Sequence, residues 1–178
     1  IGLTGLVLVP EITLITELEG AFRRHFGDKV AIFHSGLSQG AIFDAWERIR
    51  QNKARIVLGT RSAIFSPIKD LGIIIIDEEQ DDSYKQESGI RYHARDLAFV
   101  RAQKAHCLLV LSSTAPSVTS FYSALSGKYY YLPLKTDKAH LPKLHILDMR
   151  KEALIRPYLS RFLLKRIKFY LKKGEQIL

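Results

Sequence analysis

Four polar residues that could take part in a reaction follow a run of four isoleucines. Residues 73–76 lead directly into Asp77, Glu78, Glu79 and Gln80. A buried parallel strand that ends in this acidic box (residues 77–80) presents its carboxylates at the edge where α/β sheets bind ligands. There Asp77 can hold Mg²⁺ through a water, and Glu78 can orient or deprotonate a water that attacks a phosphate. Because acids also end strands simply to solvate a loop, the run alone leaves both interpretations open.

A second polar group follows an earlier apolar run. Gly59, Thr60, Arg61 and Ser62 come directly after residues 55–58. Glycine permits a close backbone approach, and hydroxyl, amide and guanidinium groups can contact phosphodiester oxygens without reading sequence. The same residues also suit an ordinary turn from a strand into a helix, with a serine or threonine cap.

Aromatic and basic side chains alternate shortly after the acidic box. This segment contains Tyr84, Lys85, Arg91, Tyr92 and Arg95. Its composition suits stacking on bases while following a nucleic-acid backbone. Tyrosines packed beneath a surface loop would give the same composition, because aromatic side chains are usually buried at least in part.

The elements that position these residues alternate along the chain. Short apolar runs predict buried strands at residues 6–9, 30–33, 55–58, 73–76 and 108–111. Helical periodicity lies between the first strands, with one apolar face at Leu14, Leu18, Phe22 and Phe26 and another at Ile42, Ala45, Trp46 and Ile49. Continuously apolar strands separated by helices are parallel and covered on both faces. The predicted fold is therefore α/β, with a doubly wound and mainly parallel sheet.

The pattern of apolar residues also predicts the domain organisation. The sheet domain covers residues 1–134, and a polar, proline-containing stretch predicts a linker at residues 135–156. Pro157 is expected to open a helix that ends near Gly174, with a strand starting at Glu175. Leu159 belongs to the apolar face of this predicted helix. The many basic residues of the helix favour a solvated opposite face over a binding surface.

Charge and composition restrict the class of protein. A net charge of +9 over 178 residues favours a polyanionic partner, nucleic acid before an anionic membrane surface, although a solvated basic face is the alternative. Apolar runs far shorter than the ~20 residues that cross a bilayer, and a start without a basic signal region, predict a cytoplasmic protein with no membrane partner. The single cysteine, Cys107, and the spacing of the histidines suggest no zinc site in this chain.

Taken in order, these segments resemble superfamily 2 helicases, and within them the PriA replication-restart helicases. The resemblance covers nearly the whole chain. It rests on residues 8–12 (motif Ia), 34–38, 59–67 (motif Ib), 77–80 (the DEAH-type box), 84–96, 113–117 (motif III) and 147–150. It implies a RecA-like P-loop NTPase lobe that hydrolyses ATP with Mg²⁺, with Asp77 and Glu78 at the catalytic position of a Walker B site.

The resemblance also implies partners and further roles. It implies 3′-to-5′ movement on single-stranded or forked DNA, work with other primosome proteins, and zinc only outside this stretch. Thr60, Arg61, Ser62, Tyr84, Lys85, Arg91 and Tyr92 would contact DNA, and the segment around residues 84–95 would couple that contact to the ATP site. Glu79, Gln80, Ser113, Thr114 and Pro116 would couple hydrolysis to movement. Gln80 stands where the family usually has histidine, and Ser-Thr-Ala-Pro-Ser replaces Ser-Ala-Thr-Pro-Ser.

The start of the chain departs most from the family. Gly2, Leu3, Thr4 and Gly5 resemble the opening of the phosphate loop, so Gly2, Thr4 and Gly5 are predicted to bind nucleotide together with the acids. The loop's lysine and threonine do not follow, and we expect the chain by itself, as a fragment, to hydrolyse no ATP. The alternatives are a non-catalytic nucleic-acid-binding or primosome assembly module, or another superfamily 2 motor; the oligomeric state stays open.

Overall fold

The computed structural model describes residues 2–134 and 145–177. Its elements in chain order are β1 (Thr4–Leu8), α1 (Ile12–Phe26), β2 (Val30–Phe33), α2 (Gln39–Arg50), β3 (Ile56–Gly59), β4 (Leu71–Ile76), β5 (Lys85–Gln86), β6 (Tyr92–His93), α3 (Ala94–Ala105), β7 (Leu108–Leu111), α4 (Val118–Leu125), β8 (Leu154–Arg156), β9 (Leu159–Ser160) and α5 (Arg161–Lys172). Short 3₁₀ turns lie at Gly27–Lys29, Arg61–Phe65 and Asp82–Tyr84. The chain divides into two compact units, Ile1–Leu132 and Pro133–Leu178.

The first unit is built on a five-stranded sheet in the order β2-β3-β1-β4-β7. Every pairing in it is parallel, which confirms the predicted doubly wound α/β fold. The strand ends are in register, because Leu8 pairs with both Gly59 and Ile76, and Ile76 pairs with Leu111. Residues that follow these strands therefore meet at one edge of the sheet.

Side chains of β1 alternate between two faces, as the two-residue period of a strand requires. Val7 packs in a cluster with Ile15 of α1, and the predicted face of that helix joins it through Leu14, Leu18 and Phe22. Leu6 and Leu8 belong to the other, larger cluster. That cluster takes in Ala45 and Ile49 of α2 together with Ala94, Ala98 and Ala102, the small residues spaced four apart along α3. The small alanines allow α3 to lie close to the sheet.

The second unit contains a two-stranded antiparallel pair, β8 and β9, followed by α5. The predicted helix start at Pro157 is wrong, because Leu159 lies in β9 and the helix begins at Arg161. Ser160 caps it by accepting a hydrogen bond from the Leu163 amide at 3.1 Å. The helix ends before Gly174, which has φ +75°, as predicted from the glycine signal.

Two further predictions concern the ends of this unit. Residues 175–177 form no strand, although a strand was expected from Glu175; Leu178 lies outside the described residues. Of the predicted linker, residues 135–144 also lie outside them, and residues 145–156 include β8. Within the described parts of the chain, no helix is both long and apolar enough to cross a membrane.

Candidate functional site

The acidic box lies where three strands of the sheet end. The Asp77 amide donates to the Leu8 carbonyl at 2.9 Å, and the Glu79 amide donates to the Ser112 carbonyl at 3.0 Å. The Ser112 hydroxyl, directly after β7, donates to Asp77 Oδ1. Backbone and side-chain bonds therefore fix the first acid between the ends of β1, β4 and β7.

Glu78 is held in an uncommon backbone conformation. Its φ of +46° lies in the left-handed region, which a non-glycine residue occupies at a cost and which is often found at functional sites. Its Oε2 accepts hydrogen bonds from Gln80 Nε2 at 2.7 Å, from Thr114 Oγ1 at 3.2 Å and from the Thr114 amide at 3.4 Å. The bond from Gln80, followed by that from the Thr114 amide, lowers the pKa of Glu78. At neutral pH the carboxylate is thus anionic, and these hydrogen bonds fix its orientation.

Glu79 points away from the edge into the protein and is 1% exposed. Burial by itself raises the pKa of Glu79, but hydrogen bonds from Arg95, from the Ser117 amide and from the Ser120 and Ser117 hydroxyls outweigh it and lower that pKa. Arg95 Nη1 lies 2.8 Å from Glu79 Oε2, and the Ser117 amide nitrogen lies 2.7 Å from Oε1. A buried carboxylate with this many donors stays charged.

The fourth residue of the box completes a residue-by-residue pairing with the segment after β7. Gln80 Oε1 accepts a hydrogen bond from the Ser113 hydroxyl, whose oxygen in turn accepts from the Ala115 amide at 3.0 Å. Of the predicted coupling residues, Gln80 therefore contacts Ser113, Thr114 contacts Glu78, and Glu79 contacts Ser117. Pro116 is exposed, between Thr114 and the start of α4. Its role stays a prediction. We call residues 113–117 the coupling segment.

Tyr84 does not lie on a surface where it could stack on a base, and that prediction is wrong. Its side chain is fully buried at 0% exposure. The hydroxyl donates at 2.6 Å to the Asp77 carbonyl and lies 3.1 Å from the Leu8 carbonyl. Burial raises the pKa of Tyr84 far above its usual value, so the hydroxyl remains a donor. Tyr84 is a support beneath the acidic box.

In the segment after β3, several residues predicted to contact DNA make contacts within the protein instead. Arg61 Nη1 donates to the carbonyls of Ser83 at 2.8 Å and Lys85 at 2.5 Å, so this guanidinium holds the chain on both sides of Tyr84. The hydroxyl oxygen of Ser62 is buried, which excludes it as a direct phosphate contact. A Cβ at Gly59 would come within 2.1 Å of the Phe33 carbonyl oxygen, so the glycine serves close strand packing. Thr60 is half-buried at the rim.

The remaining predicted DNA contacts lie on a hairpin formed by β5 and β6 (residues 85–93), with the pairs Lys85↔His93 and Gln86↔Tyr92. Lys85 is exposed and pairs with Glu87 at 2.7 Å. Arg91 is exposed, whereas Tyr92 packs edge-on against Phe65 with ring centroids 5.0 Å apart. Tyr92 is thus mainly a packing residue. Ile90, which the sequence reasoning missed, is 87% exposed at the hairpin tip.

The predicted nucleotide contacts at the start of the chain are wrong. Thr4 and Gly5 belong to β1, and their amides donate to the carbonyls of Asp70 at 2.9 Å and Arg55 at 2.8 Å. Amides that pair within a sheet cannot cradle phosphates. Gly2 precedes the same strand, so all three lie toward the amino end of β1, away from the edge that holds Asp77. Thr4 and Gly5 are the first two residues of β1.

Several residues of the site had only weak sequence signals. Ser112 follows β7 as Asp77 follows β4, and this equivalence could have suggested their contact. Ser117 and Ser120 have the spacing of a helix cap, with the Ser120 amide 3.3 Å from Ser117 Oγ. Their bonds to Glu79 could not be predicted from that spacing.

The donor set of the acidic box fits a hard divalent cation. Asp77 and Glu78 offer carboxylate oxygens, the ligands that Mg²⁺ prefers, directly or through water. Asp77 would hold the ion, as residues in its position do in phosphoryl-transfer sites.

Comparison with known proteins identifies the family. Residues 1–121 match the family described as DEAD/DEAH box helicase. This chain belongs to the DEAD/DEAH box helicase family. The Pyrococcus furiosus Hef helicase domain has the same fold, with a TM-score of 0.54 at 15% identity over 97% of this chain and 45% of that one. The C-terminal domain of Saccharomyces cerevisiae Dbp5 matches with a TM-score of 0.50 at 12% identity, over 71% of each chain. These likenesses confirm a RecA-like helicase fold.

Within the DEAD/DEAH box helicases, this chain is similar to replication restart proteins. It is 42% identical to replication restart protein PriA of Bacillus subtilis over 98% of this chain and 22% of that protein. It is 41% identical to PriA of Haemophilus influenzae over 99% of this chain and 24% of that protein. The chain therefore spans about a quarter or less of the length of these relatives.

Proposed function

We propose that this chain provides the hydrolytic acids and part of the DNA-binding rim of a DNA helicase motor that acts in replication restart. The observation that carries the proposal is the pairing of the acidic box with the coupling segment, in which Gln80 meets Ser113 and Glu78 meets Thr114. Such a pairing links the place of hydrolysis directly to residues 113–117. The similarity to PriA proteins supports DNA as the track.

The chemistry follows from the positions of the first two acids. Bound ATP with Mg²⁺ would supply the phosphoanhydride and the charge that polarises it. Asp77, fixed by Ser112 and the Leu8 carbonyl, would hold the ion through water. Glu78 Oε would orient the attacking water and take its proton as the bond to the terminal phosphorus forms and the bond to the ADP oxygen breaks. Hydrogen bonds from Gln80 and Thr114 keep that carboxylate anionic and fix its orientation.

The DNA part of the proposal concerns the rim of the sheet. Lys85 and Arg91 are exposed on the hairpin, and Thr60 lies at the end of β3. Contacts of such groups to phosphates carry no base code, so binding would be independent of sequence. We assign single-stranded or forked DNA as the substrate and 3′-to-5′ as the direction. Other primosome proteins would be partners, in the cytoplasm.

The domain bounds belong to the same proposal. Residues 1–134 would form part of the first motor lobe, residues 135–156 the connector, and residues 157–178 the start of the second lobe. The 178 residues contain no Gly-Lys-Ser or Gly-Lys-Thr sequence. ATP turnover is therefore to be measured in a protein that joins this chain to a phosphate loop.

The test is Glu78→Gln in that longer protein. The amide keeps the size of the side chain but cannot accept a proton, so we expect DNA-stimulated ATP turnover to fall by about 100-fold or more with nucleotide affinity unchanged. The matched control is Glu17→Gln, an exposed acid on α1, which should retain turnover. Equal loss of nucleotide binding and turnover in Glu78→Gln would exclude the role of Glu78 as the base.

A further inference from the structure

A groove on the second unit is lined by one face of α5 and by β8. It has a volume of about 540 Å³. Four cations lie along it, at positions i, i+4, i+7 and i+11 of the helix: Arg161, Lys165, Lys168 and Lys172. Residues at this spacing share one side of a helix. We call these four residues the cationic row, which is about 16 Å long at the rise of an α-helix.

No carboxylate pairs with the cationic row within the part of the chain that the structure describes. All four side chains are exposed, and none of them belongs to the ion pairs formed there. Helix α5 has five basic residues and no acidic one. Residues 145–177 carry nine basic and three acidic side chains, a net charge of +6, and the whole chain has +9. Two thirds of the net charge therefore lie in less than a fifth of the chain.

This arrangement of charges is unfavourable for the helix by itself. Like charges three or four residues apart repel, and the row contains three such neighbouring pairs. The first turn of α5 also holds Arg161 and no acid, although the helix dipole favours an anion there. A face that served only solubility would mix both signs of charge. A bound ligand with regularly repeated negative charges relieves this repulsion.

The floor of the groove is apolar. It is formed by Ile155 of β8, which is 45% exposed, and by Leu164 and Phe169 of α5. The ring of Phe169 is 48% exposed and follows Lys165 by one helical turn. Sites for single-stranded nucleic acids combine basic groups that follow the phosphates with aromatic rings that contact the bases. Among polyanions, a nucleic-acid strand therefore fits both the cations and the floor of this groove.

We propose that the cationic row and Phe169 form a second nucleic-acid site, in which the cations bind phosphates and the ring contacts a base. This site belongs to the second unit, whereas the exposed cations of the proposed rim, Lys85 and Arg91, belong to the first. The inference rests on the proposed function because it takes nucleic acid as the polyanion. It requires neither the acidic box nor the hairpin. Binding is independent of base sequence, since phosphates carry no base code.

The test is a titration of the 178-residue chain with a fluorescent oligothymidine at several salt concentrations. Lys165→Ala with Lys168→Ala removes two phosphate contacts, so we expect weaker binding and a salt slope smaller by about two units. The same change removes like-charge repulsion and introduces alanines, which favour a helix. Circular dichroism should therefore show a helix content and a melting temperature no lower than those of the parent. A purely structural role of the two lysines would lower both.

Lys53→Ala with Lys69→Ala is the matched control. Both lysines are exposed in the first unit, before β3 and before β4, and their loss removes the same charge. The affinity and the salt slope of this variant should stay close to those of the parent. Phe169→Leu tests the ring separately, because it keeps an apolar side chain and every charge. Its affinity for oligothymidine should fall by about fivefold or more, with an unchanged salt slope.

The outcomes separate this site from the proposed function. A parent chain that does not bind the oligonucleotide would overturn both. Equal effects of the two double variants would overturn the site on α5 and leave the rim of the first unit, which Arg91→Ala tests, in place. Weaker binding in the α5 variant with parent binding in Arg91→Ala would support this site and overturn that rim.

Two further outcomes concern the class of ligand. Parent affinity in Phe169→Leu would overturn nucleic acid as the ligand of the groove. So would competition by polyglutamate that is as effective as competition by unlabelled oligothymidine, because it would assign the cationic row to an acidic polypeptide instead.

Discussion

At the scale of single residues, a substitution at Tyr84 tests the contribution of its buried hydroxyl. Tyr84→Phe removes only the hydroxyl that bonds the Asp77 and Leu8 carbonyls. A buried hydrogen bond contributes about 1 kcal/mol, which corresponds to about 2 to 4 °C in melting temperature for a chain of this size. We therefore expect a lower melting temperature in a thermal melt and an unchanged affinity for single-stranded DNA in a titration. Loss of affinity without loss of stability would instead indicate that the hydroxyl contacts DNA.

Glu79 makes stability depend on acid pH. Its pKa is lower in the folded protein than in the unfolded chain, where it is about 4.3. The carboxylate therefore contributes its full stabilisation above about pH 4.3 and loses it as pH falls through the folded value. Thermal melts between about pH 6 and pH 3 should show the parent chain losing stability at the acid end.

Glu79→Gln provides the comparison for this pH dependence. The variant should be less stable than the parent at about pH 6, because Arg95 loses its buried counter-charge and keeps only the exposed Asp96, 3.8 Å away. The difference between the two proteins should shrink as the pH falls, since the parent carboxylate is neutralised. A difference that stays constant down to about pH 3 would contradict a lowered pKa at Glu79.

At the scale of elements, the hairpin carries the two exposed cations, Lys85 and Arg91, of the proposed DNA-binding rim. Arg91 is exposed there, and removing one side chain that binds a phosphate should reduce the salt slope of binding by about one unit. We expect Arg91→Ala to weaken binding to single-stranded oligonucleotides and flatten that slope, as measured by titration at several salt concentrations. Lys69→Ala is the control, because Lys69 is exposed just before β4, at the opposite edge of the sheet. Equal effects of the two changes would mean that only net charge matters.

At the scale of the whole molecule, the core belongs to the first unit. Both clusters of buried apolar residues lie there, and between residues 145 and 177 Ser160 is the only buried residue. Ring pairs also fix the end of this unit, Phe99 with Tyr129 at 5.2 Å and Phe121 with Tyr131 at 6.0 Å between centroids. We therefore expect the first unit to fold alone.

This distribution predicts the effect of truncation. A chain that ends after Leu132 should keep a cooperative melt close to that of the parent, because it keeps both apolar clusters and both ring pairs. A chain that ends after Leu125 removes Tyr129 and Tyr131 and should melt at a lower temperature. Circular dichroism melts of the three chains test this. A large loss of stability on removal of residues 133–178 would show that the first unit depends on them.

The sequence by itself determined the sheet and the edge at which the acids lie. Parallel strands covered on both faces must be continuously apolar, so the run at residues 73–76 marked β4 and placed Asp77 and Glu78 at its carboxyl end. Helical periodicity predicted that Leu14, Leu18 and Phe22 of α1 pack against the sheet, but it missed the buried Ile15 and included Phe26, which is exposed. These are consequences of the local pattern, and it is the local pattern that a single sequence records.

The tertiary structure alone decided which polar and aromatic residues face the site. Tyr84 and Arg91 share one mixed segment, yet one is a buried support and the other is exposed, because that choice depends on how the hairpin lies against β1 and β4. Thr4 and Gly5 share their sequence with a phosphate loop, but pairing with neighbouring strands uses their amides. Glu79 and Arg95 are distant in sequence, and only the packing of α3 and α4 brings their charges together.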